Sequence, residues 1–120
     1  MALKIILDTN FTMVPFQFKV DIFEELKRLL NEPYKVFILD QTLKELEGKK
    51  LEKAVKGLLE RYDVGLIKTE QKASVDELLV NLADREKFIV ATQDKALKDR
   101  LKKKGIKIIT LRQKMYLAFG

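Results

Sequence analysis

What most constrains this chain is a repeated alternation between short apolar runs rich in β-branched residues and stretches with helical spacing. The first run, Leu3-Lys4-Ile5-Ile6-Leu7, stops at Asp8-Thr9-Asn10, and Val36-Phe37-Ile38-Leu39 stops at Asp40. Lys87-Phe88-Ile89-Val90-Ala91 stops at Thr92-Gln93-Asp94, and Lys107-Ile108-Ile109-Thr110-Leu111 comes last. A weaker run over residues 63–68 carries Val64, Leu66 and Ile67 around a glycine. Runs of this kind suit strands covered on both faces.

The intervening stretches read as helices. Ile22, Phe23, Leu26, Leu29 and Leu30 recur at spacings of three and four opposite Glu24, Glu25, Lys27 and Arg28. That predicts an amphipathic helix from near Val20, ended by Asn31-Glu32-Pro33 because proline disfavours helical geometry in the residue before it. Apolar positions 51, 55, 58 and 59 mark another over residues 50–61. Ser74 and Glu77 form a capping-box pattern ahead of Leu78, Leu79, Leu82 and Ala83, and Thr42 with Glu45 forms a second, whose short helix Gly48 closes. A basic helix is expected over residues 95–104, closed by Gly105, while residues 12–18, with Pro15, read as a loop that packs down.

Strands alternating with helices imply right-handed βαβ units: a three-layer α/β sandwich with a central parallel sheet of about five strands. A chain of 120 residues has surface for one core, so a single domain over residues 1–120 is expected. Residues 112–120 hold Met115, Tyr116, Leu117 and Phe119, which would pack on the body or on a second copy in a homodimer.

Composition narrows the chemistry. With no cysteine and no histidine, thiolate and imidazole metal sites, cysteine nucleophiles and Ser-His-Asp hydrolysis are excluded. Lys4 and Asp8 interrupt the early apolar run and nothing approaches about 18 consecutive apolar residues, so a cytoplasmic protein with no membrane association is expected. The 24 Lys and Arg against 18 Asp and Glu give a net charge of +6, which favours an anionic partner such as nucleic acid. A charge-laced surface of the kind found in heat-adapted proteins has the same composition.

In an open α/β sheet the residues just past the strand ends share one rim, where ligands bind. Asp8 and Asp94 follow the first and fourth strands, and Glu45 and Asp76 fall in first turns of helices that leave or return across that rim. Clustered carboxylates raise one another's proton affinity unless a cation neutralises them. Oxygen ligands alone select Mg2+ or Mn2+, and two such ions about 4 Å apart activate water and stabilise the leaving oxygen in phosphodiester cleavage. Thr9, Asn10 and Thr92 would then orient the ligands or hold metal-bound water.

Each acid also has a purely structural reading. Asp8 is a common turn residue, Glu45 and the Ser74 segment are helix caps, Asp76 suits a helix dipole, and Asp94 suits an N-cap. Asp40, Glu47, Glu77 and Asp21 are neighbouring acids for which cap, turn or solvent roles are expected.

The sequence resembles the PIN-domain ribonucleases through Ile6-Leu7-Asp8-Thr9-Asn10, Gln41-Thr42-Leu43-Lys44-Glu45-Leu46, Asp76-Glu77-Leu78-Leu79-Val80-Asn81-Leu82-Ala83 and Val90-Ala91-Thr92-Gln93-Asp94-Lys95. The stretch around Val14-Pro15-Phe16-Gln17-Phe18 is similar to the archaeal and eukaryotic branch that includes VapC-like proteins and ribosomal RNA processing nucleases. The resemblance spans nearly the whole chain. It implies a metal-dependent endoribonuclease whose catalytic and metal-binding acids are Asp8, Glu45, Asp76 and Asp94, with Mg2+ or Mn2+ as cofactor. It also implies an RNA substrate and an antitoxin or ribosome-assembly partner. Gln93 departs from the asparagine common before the last acid.

Lys49, Lys95, Lys98, Arg100 and Lys102 flank these motifs and would hold RNA phosphates; no aromatic residues interleave with them, so base stacking is not expected. Other α/β readings fail at single positions. A receiver domain needs an adjacent acidic pair after strand one, a haloacid-dehalogenase-type phosphatase needs an acid where Asn10 stands, and a P-loop is absent. The remaining alternative is a PIN-like module that binds RNA or protein without cutting.

Overall fold

The computed structural model describes residues 2–120. Its elements are β1 (Leu3–Leu7), a 3-10 turn (Asn10–Met13), α1 (Val14–Phe18), α2 (Ile22–Leu29), β2 (Tyr34–Leu39), α3 (Asp40–Leu46) and α4 (Glu52–Arg61). They continue as β3 (Gly65–Ile67), α5 (Val75–Leu82), β4 (Ile89–Ala91), α6 (Lys95–Lys103), β5 (Lys107–Arg112) and β6 (Tyr116–Phe119). The strands form one sheet in the order β3-β2-β1-β4-β5-β6.

The first five strands are parallel, as the alternation predicts. The sheet has six strands rather than five because the apolar tail folds back as β6, antiparallel to β5, with Leu117 opposite Leu111. Leu117 is buried, and its amide and carbonyl are held by Glu25 Oε1 (2.9 Å) and Arg28 Nη2 (2.6 Å) of α2. The tail therefore packs on its own body.

Alternate side chains of the strands divide the core into two halves. Ile5, Leu7, Val36, Ile38, Ile89 and Ala91 face the layer containing Val14, Ile22, Leu26, Leu46 and Val55. Ile6, Leu39, Val90 and Ile108 face α5 and α6 through Leu79, Leu97 and Leu101. That period of two, with both faces apolar, is what a covered parallel sheet requires.

Two local expectations fail. Residues 12–18 are not a loop: Pro15 lies at the start of α1, where its missing N–H has no helical partner to lose. The Thr42–Glu45 capping box does not form either, because β2 runs directly into α3 with Leu39 as N-cap and no side-chain cap. Glu45 consequently sits in the last turn of its helix, not the first. Gly48, at φ +76°, then turns the chain towards α4, a left-handed conformation that costs glycine little.

Candidate active site

The order of the sheet creates the site. After β1 the chain builds outwards through β2 and β3, then returns to place β4 on the other side of β1. The carboxyl ends of β1 and β4 thus meet at a topological switch point, the place where open α/β sheets bind ligands. Asp8 N–H donates to Ala91 O (3.0 Å) and Thr92 N–H to Ile109 O (3.0 Å), so the ladder carries both residues to the rim in register.

Asp8 is buried, and its Oδ2 accepts a hydrogen bond from Thr92 Oγ1 (2.8 Å). Phe11 N–H and Thr12 N–H both return to Asp8 O, fixing the turn behind it. Thr92 Oγ1 also accepts from Asp94 N–H (3.1 Å), and Asp94 Oδ1 caps α6 by accepting from Leu97 N–H (3.1 Å). One buried hydroxyl therefore holds Asp8 and the Asp94 backbone together.

Glu45 comes to the same rim from α3. Its Oε1 accepts from Thr9 Oγ1 (2.8 Å) and its Oε2 from Val75 N–H (2.9 Å), the first free amide of α5. The Thr9 and Thr42 hydroxyls lie 3.2 Å apart, and Thr42 is completely buried. Asp76 follows Val75, so the bond that satisfies the α5 terminus also delivers a third acid. Ser74 Oγ caps the helix from Glu77 N–H (3.3 Å), as its sequence pattern predicts.

The acids interact. Asp8 is pushed up to about 6, first by burial and further by Asp76 and Asp94, against the opposing bond from Thr92. Asp76 is also raised, by burial, then Asp94, then Glu45. Carboxylates from four separate elements thus share one field. Among the described residues no three of them enclose a common point in this arrangement. Both Glu45 oxygens and one Asp94 oxygen are committed to hydrogen bonds, whereas Asp76 accepts none from the described residues.

The other predicted site residues divide. Thr9 and Thr92 join the network, but Asn10 is exposed and makes no side-chain hydrogen bond among the described residues. Lys49 and Lys95 are exposed beside Gly48 and Asp94. Lys98 Nζ donates to Thr110 Oγ1 (2.9 Å), Lys102 is exposed, and Arg100 is turned towards α5 in an ion pair with Glu77 (2.8 Å).

Asp40 clasps Thr69 beyond β3 through Thr69 Oγ1 (2.6 Å) and N–H (3.1 Å), Asp21 caps α2, and Glu47 is exposed at the end of α3. Sequence reasoning missed Thr42 as a site member. Its signal was its position three residues before Glu45, one helical turn away on the same face.

Three comparisons identify the fold that carries these residues. The family profile described as PIN like domain matches residues 5–114. Ribonuclease VapC4 of Methanocaldococcus jannaschii is 34% identical over 123 residues, covering 94% of this chain and 93% of the relative. The PIN domain endonuclease Utp24 superposes with a TM-score of 0.82 at 28% identity, covering 97% of this chain and 90% of that one. With the profile spanning the sheet from β1 to the end of β5, the chain belongs to the PIN like domain family.

Proposed function

We propose that this protein is a metal-dependent endoribonuclease that hydrolyses RNA phosphodiester bonds at the β1/β4 crevice. The observation that carries the reading is Asp8: a buried carboxyl at the switch point, raised to about 6 by burial and by Asp76 and Asp94. A structural aspartate gains nothing from that environment, whereas a cation would relieve both causes at once. The names of the similar proteins, a ribonuclease and an endonuclease, support the same reaction class.

The donor set fits a hard divalent cation, since it offers carboxylate and hydroxyl oxygens and no nitrogen or sulfur. Asp8, Asp76 and Asp94 would hold Mg2+ or Mn2+ once their side chains turn in to a common point, with Glu45 as the fourth acid once it exchanges one of its present partners. When bound, such an ion supplies an activated water and neutralises charge developing on the phosphate. Thr92 holds Asp8 and the Asp94 segment in fixed relation, and Thr9 orients Glu45. Lys95 and Lys49 flank the acids and would attract the phosphates that the acids alone repel.

The test is cleavage of single-stranded and structured RNA with Mn2+, Mg2+ or EDTA, comparing wild type with Asp8→Asn and Asp94→Asn. Metal-dependent cleavage by wild type, reduced at least about a hundredfold in either variant, is expected. Turnover that ignores both chelation and the substitutions would end the proposal.

A further inference from the structure

Along α6, starting at Gln93 next to Asp94, lies a cleft of about 490 Å³ whose lining includes Gln93, Lys98, Lys102, Arg112 and Tyr116. Three features single it out. Lys98 and Lys102 are one helical turn apart and face Arg112 at the end of β5, and none of the three pairs with a carboxylate among the described residues. Arg100, on the same helix, is by contrast held by Glu77 on α5. The proton affinity of Lys98 is depressed first by burial and then by Lys102 and Arg112, which outweigh the opposing pull of Asp94 and Asp99.

The cleft is also tied to the rim. Gln93 continues the sheet with its side chain: Nε2 donates to Leu111 O (3.0 Å), while Oε1 accepts from Leu111 N–H and Thr110 Oγ1. Thr110 in turn accepts from Lys98 Nζ (2.9 Å). The residue before Asp94 thus sets the position of Lys98 through one hydroxyl. Tyr116, half-exposed at the head of β6, brings to these cations an aromatic ring that is distant from them in sequence.

We infer that this cleft is a subsite for single-stranded RNA, in which Lys98, Lys102 and Arg112 hold successive backbone phosphates beside the scissile bond and Tyr116 stacks one unpaired base. The inference rests on the nuclease reading for the identity of its ligand. A row of unpaired cations fits a polyanion, and an exposed ring beside it fits a base with a free face, which a duplex does not offer. The cations hold the backbone and the ring a base face, so these four residues select strandedness and not sequence.

The experiment measures binding in EDTA, where metal-dependent turnover is absent, using a short fluorescein-labelled oligouridylate and the same strand annealed to its complement. Lys102→Gln/Arg112→Gln should weaken single-strand binding about tenfold and flatten the slope of log affinity against log salt by about 1.4, at about 0.7 for each phosphate no longer neutralised. Tyr116→Leu should weaken the single strand about tenfold with the salt slope unchanged, and Tyr116→Phe should restore it. Lys27→Gln on α2 is the charge control and should change nothing. Unchanged affinity and slope in the double variant would overturn the subsite, as would a Tyr116→Leu loss equal for single strand and duplex. Cleavage that ignores Asp8→Asn while the cleft variants still weaken binding would remove the nuclease reading and leave the subsite intact. Loss of cleavage on Asp8→Asn with binding indifferent to the cleft would do the reverse.

Discussion

Asp8 shows how a single residue can lower the stability of the fold that carries it. Its carboxyl rises from an ordinary 3.8 to about 6, so the folded chain keeps a proton that the unfolded chain releases earlier. Below about pH 3 both states are protonated and the group is neutral to stability. As pH rises towards 6 the unfolded state gains, and above 6 the full penalty stands at about 3 kcal/mol, taking about 1.4 kcal/mol per pH unit. Without divalent ions, Asp8→Asn should therefore be more stable than wild type at pH 7 by about 1–3 kcal/mol, the lower figure allowing for the imperfect fit of an amide. Near pH 3 the difference should vanish. Chemical denaturation in EDTA at the two pH values measures it, and a variant less stable than wild type at pH 7 would make Asp8 a structural residue. Asp8 was legible because an apolar strand ended in an acid. The depth of its burial was not, since that depends on Thr92 and on the turn made by Phe11 and Thr12, which only the folded backbone brings round it.

At the scale of an element, α6 shows that a structural role and a proposed catalytic role can share one side chain. Asp94 caps the helix through Oδ1, as its sequence context allows, and also contributes to the field at Asp8. The two roles separate by substitution. Asp94→Asn retains an oxygen for Leu97 N–H and should unfold within about 0.5 kcal/mol of wild type, whereas Asp94→Ala loses the cap and should cost about 1 kcal/mol. Urea titrations of the two variants check this, and equal stabilities would mean that the cap contributes nothing. The same doubling explains why spacing alone misassigns α3. Thr42 and Glu45 have capping-box spacing, but β2 enters α3 without a loop, so the hydroxyl turns inward and Glu45 reaches across to α5. The residues were legible and their geometry was not. β6 is hidden in the sequence for another reason: four residues carry too weak a period to mark a strand, and its order comes from β5 and from the Glu25 and Arg28 side chains.

For the whole molecule, strand order is what sequence periodicity could not supply. Alternation predicts a parallel sheet, but only the return of β4 to the side of β1 makes their ends neighbours and brings acids from β1, α3, α5 and α6 to one crevice. A ligand bound there connects both helical layers through the sheet, so its binding energy adds to global stability. A cation at a hundred times its dissociation constant adds about 2.7 kcal/mol, provided it does not bind the unfolded chain. In a domain of this size that corresponds to a rise in Tm of roughly 8–15 °C. Millimolar Mn2+ at pH 7.5 should therefore raise Tm in a saturable way, with the shift abolished in Asp8→Asn and retained in Tyr116→Leu. The comparison isolates the acids, because non-specific effects of a divalent salt on a chain of net charge +6 would be common to both variants. Scanning calorimetry with and without the ion makes the measurement. A Tm that does not respond, or that responds equally in Asp8→Asn, would remove the cation from the crevice while leaving the fold and the acids as described.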